Sequence, residues 1–423
     1  MNRATANFAS LIVASLAGMG IVLLLQESSN AYSSLTIVLA VFTFGSVIAA
    51  AMMIAWAAEA SQFSISQGLA LAIVAIVQTL PEFFVEGAIA WNAGQQPAAW
   101  LPNVTANFTG ANRLLTGLGW PLILFTALIQ RRRNGTIGRQ VIALRKEQSI
   151  EVVFMLGATL YFIVIWLKGS LEIVDTIVLS GAFLTYLWLL SRLPSEEEDP
   201  EEVLDATPLA IVKMPKRQRG ATIIGLFFVS GFVFVIISTP FVDSINTIAE
   251  EFFGAGAGFF FIQWIAPFLS EFPEKVTAFH WARKIKLAPM ALLNFVSSAV
   301  SELTALVAVI PVVFAFSVGG LVPVSIQIHR DEVLLTMAQS LYACACLMDL
   351  EYDTRNAVTL LGLWLVSTIF VQTRFWISIG FLALAGTELV IQRGRITAFS
   401  SFRQSLRNDL GKSNRAREPA DDV

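Results

Sequence analysis

An all-α membrane protein with about 12 transmembrane helices is predicted by three features of this sequence. Of its 423 residues 56% are hydrophobic and only 14% charged, far from the balance of a soluble globular domain. Apolar segments of about 18 residues or more recur along nearly the whole chain, each able to cross a hydrocarbon layer roughly 30 Å thick. The third feature is the placement of Lys and Arg. Spans are expected at residues 8–25, 33–58, 68–93, 103–130, 150–167, 171–191, 221–243, 254–281, 288–317, 332–350, 356–372 and 375–391. With the N-terminus inside, 23 of the 28 basic residues fall in cytoplasmic segments, three (Lys168, Arg330, Arg374) lie outside, and Arg113 and Lys275 lie within spans. Such a cytoplasmic excess orients helical membrane proteins, so both termini are expected in the cytoplasm, the chain crossing an inner (plasma) membrane many times.

Composition also excludes chemistry. The only cysteines, Cys344 and Cys346, sit in one apolar segment, and His280 and His329 are the only histidines. Haem and zinc centres are therefore not expected, nor any cofactor or nucleic-acid partner. No nucleophile–base constellation marks an enzyme.

The long polar stretch Ser195 to Gly220 starts with SEEEDPEEVLD and ends with KMPKRQRG, which reads as a solvated linker dividing the chain. The expected organisation is an extra N-terminal helix in 1–32, a first repeat in 33–191, a cytoplasmic linker in 192–220, a second repeat in 221–372, an extra helix in 373–392 and a peripheral or disordered tail in 393–423.

The two halves share a pattern. Gln78-Thr79-Leu80-Pro81-Glu82 is followed in the next span by Asn107-Phe108-Thr109-Gly110-Ala111-Asn112, and Ser270-Glu271-Phe272-Pro273-Glu274 by Asn294-Phe295-Val296-Ser297-Ser298-Ala299. By the span order, the helix with Glu82 runs outward and the helix with Glu274 inward, so the repeats are inverted. Inverted repeats with interrupted helices in matching places point to a secondary transporter whose site lies near the bilayer midplane.

The chemistry fits. Proline has no N–H to give the helix ladder, which frees carbonyls near Val77 and Leu269 at membrane depth, where a polar group needs a partner. Glu82 and Glu274 follow directly. Hard cations such as Ca2+ take six to eight oxygen ligands, and Glu82, Glu274, Thr79, Ser270, Asn107, Asn112 and Asn294 offer them. A carboxylate at a helix centre costs roughly 2.5–3.5 kcal/mol on insertion scales, yet Glu82, Glu86, Glu271, Glu274 and Glu302 all fall within spans.

Two inverted Pro-Glu repeats, each followed by an Asn- and Ser-bearing helix, resemble the cation/calcium exchanger superfamily over residues 33–372. The resemblance implies a ten-helix core of two inverted five-helix repeats, here with one flanking helix at each end, and alternating-access exchange of Ca2+ or a similar cation against Na+ or H+. The family motif is Gly-Thr-Ser-x-Pro-Glu, then Gly-Ser-Asn-x-x-Asn. By that match Glu82 and Glu274 take the metal-binding glutamates, Thr79 the serine, Ser270 the threonine, and Gly110-Ala111-Asn112 the Gly-Ser-Asn. Departures are Val77, Gln78, Leu269 and Glu271 in the first motif, and Ser297-Ser298-Ala299 with Glu302 in the second. Ser298, Glu86, Glu271 and Glu302 join the expected site, and Lys275 and Arg113 are expected to compensate its charge.

Five glutamates against those two cations leave a formal −3, which one divalent ion and one proton would balance. Because withdrawal from water favours the protonated carboxylate, protons are the expected counter-ion. The competing expectation is a non-transporting module whose site Lys275 and Arg113 neutralise permanently. Trp100, Trp120 and Trp376, near span ends, are expected as interfacial anchors, and Phe259 to Phe261 with Trp264 as packing or lipid-facing residues.

Overall fold

The computed structural model describes residues 3–26, 33–63, 79–135, 139–192, 204–254 and 256–415. They form a helical bundle, and seven helical stretches among them are long and apolar enough to cross a membrane: Ile37–Gln62, Pro97–Arg133, Lys146–Lys168, Ile173–Leu190, Lys216–Phe253, Ile285–Val318 and Val371–Ile391. Shorter apolar helices cover Ser10–Leu24 and Ala257–Ser270. The start of the expected span 68–93, with Val77 and Gln78, lies outside the described residues.

In chain order the first half contains α1 (Arg3–Gln26), α2 (Ser33–Gln62), α3 (Leu80–Gln95), α4 (Val104–Leu114), α5 (Trp120–Arg133), α6 (Ser149–Lys168) and α7 (Ile173–Leu190). After the linker come α8 (Lys216–Phe253), α9 (Ala257–Ser270), α10 (Phe272–Arg283), α11 (Ala288–Ser301), α12 (Val307–Val318), α13 (Arg330–Cys346), α14 (Thr354–Ile369), α15 (Arg374–Ile391) and α16 (Ala398–Arg415). The long helices α2 and α8 pack along each other, with α1 against α2 and α15 against α13.

The expected interruptions have local causes. Pro81 and Pro273 each occupy the first turn of a helix, α3 and α10, where a missing N–H costs nothing. The expected span 254–281 is thus two helices, α9 and α10, divided at Glu271. A π-helical turn, Leu115–Gly119, joins α4 to α5 just before Pro121, and a second, Glu302–Leu306, joins α11 to α12. Pro121 cannot bond back one turn, and widening the turn absorbs the defect.

Two short antiparallel ribbons tie the halves together. Val141–Ala143 (β1) pairs with Glu351–Asp353 (β4), and Ser170–Leu171 (β2) with Val324–Ser325 (β3). Because β1 precedes α6 and β2 follows it, the ribbons lie at opposite ends of the bundle. Large apolar side chains such as Ile177, Phe228, Val235, Phe316 and Trp376 are exposed around the outside, a belt fit for lipid. Glutamates and arginines are buried inside.

Two expectations are corrected. Trp120 is no interfacial anchor: it is wholly buried and meets Tyr352 edge-on at 5.9 Å. Trp100 is buried as well. The described part of the tail is the peripheral helix α16, which packs across α6 with Ser401, Phe402 and Ser405 on the packed face.

Candidate cation site

Helix α3 starts at the proline break, so Glu82 falls in its first turn, and Glu86 follows one turn later on the same face. Both are buried. Ser270, the last residue of α9, donates to Glu82 Oε2, which joins the two halves of the chain at this carboxylate. Glu86 Oε2 accepts from Asn107 Nδ2 of α4 at 2.9 Å. Thr79, at the N-cap of α3, is buried beside them.

The second half builds a similar arrangement. Glu274, in the first turn of α10, accepts at Oε1 from Asn294 Nδ2 of α11 at 3.0 Å and from Ser298 Oγ one turn further on. Glu271 is ion-paired with Lys275, whose ammonium also lies 3.5 Å from the Pro267 carbonyl. Glu302, in the π turn after α11, is buried close to Glu271, Glu82 and Lys275.

Several acceptors here have no donor among the described residues. Glu82 Oε1, Glu86 Oε1 and Asn107 Oδ1 are buried without a hydrogen-bond partner, which is costly away from water and leaves lone pairs that a cation can use. Among the described residues no three acidic, His or Cys side chains stand in a ready metal constellation. A cation here would take carboxylate, amide and hydroxyl oxygens together. A cleft lined by Pro81, Ser270, Glu271, Glu274, Thr277 and Glu59 reaches the group.

Glu59 was not among the expected residues. It is buried at the end of α2 and accepts from Thr277 at 2.8 Å. Its signal was present: it is the one charge in the apolar helix Ser33–Gln62. Beyond it, His280 Nε2 lies 3.4 Å from Asp205 of the linker.

Asn112 and Arg113 are directed elsewhere. Asn112 Oδ1 accepts from Ser340 of α13 at 2.6 Å. Arg113 does not compensate the Glu82 group: its Nη2 lies 2.6 Å from Glu332 Oε2, and its Nε donates to the Thr109 carbonyl at 3.1 Å. Arg374 pairs with the other oxygen of Glu332. Gln263 donates to Glu332 at 3.0 Å and accepts from Arg374 at 3.3 Å. The Arg113 guanidinium also covers the Trp264 ring at 5.1 Å. This is a second buried charge cluster, two cations on one carboxylate. Glu332 begins α13 just after β3, whereas the cleft reaches toward the linker at Asp205. Since α7 starts beside β2 and ends at the linker, the cluster and the cleft lie toward opposite ends of the bundle.

With two Pro-Glu helix starts, each followed by an Asn-bearing helix, the sequence matches the family model described as "Sodium/calcium exchanger protein" over residues 34–192 and 222–373. The chain belongs to this family. Among solved structures it is similar to the H+/Ca2+ exchanger CAX, with 29% identity, a TM-score of 0.83, and 96% of this chain and 98% of that one covered. The exchanger fold is also similar to that of the Ca2+/H+ antiporter protein YfkE, at 16% identity and a TM-score of 0.55, covering 89% of this chain and 100% of that one. The sodium-calcium exchanger NCX_Mj soaked with Na+ and Sr2+ matches at 16% identity and a TM-score of 0.50, covering 85% and 99%. These two likenesses concern the fold alone. No curated protein sequence matches the chain. This exchanger is accordingly a multi-pass membrane protein of a cation-transport family.

Proposed function

We propose that this exchanger is a secondary active antiporter that carries Ca2+, or a hard cation of similar chemistry, against protons by alternating access. The observation that carries the reading is the buried Glu82–Ser270 contact between the halves, beside acceptor atoms of Glu82, Glu86 and Asn107 left without donors. A dehydrated cation supplies what those oxygens lack. Glu82 and Glu274 are its principal ligands in this reading, with Thr79, Ser270, Asn107, Asn294 and Ser298 contributing neutral oxygens. Asn112, turned toward Ser340, supports the α4–α13 contact instead.

Protons as counter-ion follow from the charges. With Arg113 engaged by Glu332, five carboxylates (Glu82, Glu86, Glu271, Glu274, Glu302) face one ammonium, Lys275, and carry −4 when fully ionised. One divalent ion and two protons balance that charge. Similarity to an H+/Ca2+ exchanger supports the same choice. The withdrawal of Arg113 also removes one of the two cations on which a permanently neutralised, non-transporting site would rest.

The layout that goes with this function is two inverted five-helix repeats, 33–191 and 221–372, flanked by α1 and α15, in an inner membrane with both termini cytoplasmic. In that layout the cleft beside Glu59 gives access from the linker side while the Glu332 cluster closes the opposite end. Calcium uptake into proteoliposomes under imposed proton or sodium gradients tests the assignment.

A further inference from the structure

Helix α16 follows the last turn of α15 and lies across the start of α6. Ser401 and Ser405 are buried on the side that faces α6, and Phe402 meets the Phe154 ring edge-on at 6.5 Å. The start of the helix is pinned, because the N–H groups of Thr397 and Ala398 both donate to the Met348 carbonyl at 3.0 Å. The other face has no cover among the described residues. Phe399, Arg403 and Arg407 are exposed there, and their spacing of four places them in one stripe. Arg393 and Arg395, in the turn before the helix, are exposed too. Residues 393–415 contain six basic side chains and one acidic, Asp409, while the neighbouring turn Lys146–Gln148 presents Lys146 and Glu147.

The place of this stripe decides what can cover it. Val390 and Ile391, which end α15, are 73% and 62% exposed, as side chains facing acyl chains are. Phe399, 50% exposed, follows within one turn of chain and one turn of helix. An aromatic at that level with arginines one and two turns beyond it on the same stripe sets positive charge beside the membrane boundary, where headgroups lie. Lipid phosphate lies at that level, and basic residues near the surface are drawn to it.

We propose that α16 is a docking surface for anionic lipid headgroups. Arg403 and Arg407 hold the phosphates, Arg393 and Arg395 extend the contact, and Phe399 enters the acyl boundary. The surface lies outside the candidate cation site and does not depend on which ions are exchanged. The partner is identified by charge and position: a headgroup with net negative charge, at the bilayer end where α15 terminates.

The test uses the full chain carrying Ser400→Cys, labelled with a nitroxide and reconstituted in phosphatidylcholine vesicles with or without phosphatidylglycerol. Cys344 and Cys346 are buried, and the labelled parent chain sets their background. Accessibility to oxygen and to an aqueous nickel chelate reports depth. The expected result is a several-fold shift from nickel to oxygen accessibility when phosphatidylglycerol is present, reversed by high salt and absent in Arg403→Gln/Arg407→Gln. Equal readings in the two lipids, whether aqueous or buried, overturn the proposal. So does a phosphatidylglycerol effect that the arginine substitutions leave intact.

Discussion

Gly110 of α4 lies directly against the backbone carbonyl of Gln263 in α9, with no room between them for a Cβ atom. The two helices belong to different halves of the chain, and this approach sets Thr109 and Gln263 within 3.3 Å of each other. Gly110→Ala must push backbone rather than a flexible side chain, so a loss of about 1–3 kcal/mol is expected. Thermal unfolding in detergent checks it. An unchanged melting temperature would mean that the helices are free to part at this crossing.

Glu332 holds two buried guanidinium groups. Its replacement by Gln leaves Arg113 and Arg374 facing a neutral amide, and breaking such a buried pair costs about 3–5 kcal/mol. The same geometry separates stability from ion binding. Arg113→Gln is expected to lower thermal stability while leaving the cation affinity of solubilised protein within about twofold, well under the tenfold that 1.4 kcal/mol represents. A tenfold change in affinity would return Arg113 to the charge balance of the Glu82 group.

Glu302 is buried beside Glu271, Glu82 and Lys275, and neither of its carboxylate oxygens accepts a hydrogen bond among the described residues. As a proton carrier it should be replaceable by Gln with loss of part of the pH dependence of transport. Uptake rates across a pH series, parent against Glu302→Gln, give the comparison. Superimposable profiles would remove Glu302 from the proton pathway.

Membrane character and the grouping of site residues were legible because they rest on patterns repeated in the sequence. A Pro-Glu helix start announces itself twice, and the structure brings Glu82 to Ser270, Glu86 to Asn107, and Glu274 to Asn294 and Ser298. What was not legible concerns charges at the edges of apolar runs. Glu332 and Arg374 each sit where a helix begins, which in a sequence is indistinguishable from a solvated boundary. The bundle covers those ends, so Arg374, counted as an external charge, is 3% exposed and meets Glu332. Without Glu332 in view, Arg113 had no visible partner except the glutamates of the site.

His329, in the loop before α13, stacks on Phe259 with ring centres 3.9 Å apart. Burial, with Arg374 adding repulsion, lowers its pKa to about 4. The unfolded chain takes up this proton near the ordinary value of about 6.5 and the folded chain does not. This residue's contribution to stability is therefore constant above about pH 6.5 and declines as pH falls toward 4. His329→Gln should flatten that part of the stability profile, read by denaturation in detergent at a series of pH values. A parallel profile in the variant would contradict the assignment.

The most direct test of the antiport mechanism is calcium flux into proteoliposomes under an imposed proton gradient and, separately, a sodium gradient, with Glu82→Gln/Glu274→Gln as control. The predicted result is uptake driven by the proton gradient and abolished in the double variant, together with loss of calcium-dependent thermal stabilisation, which is about 2.7 kcal/mol at a hundredfold excess over Kd. Uptake that persists in the variant, or no uptake with the proton gradient, would contradict it.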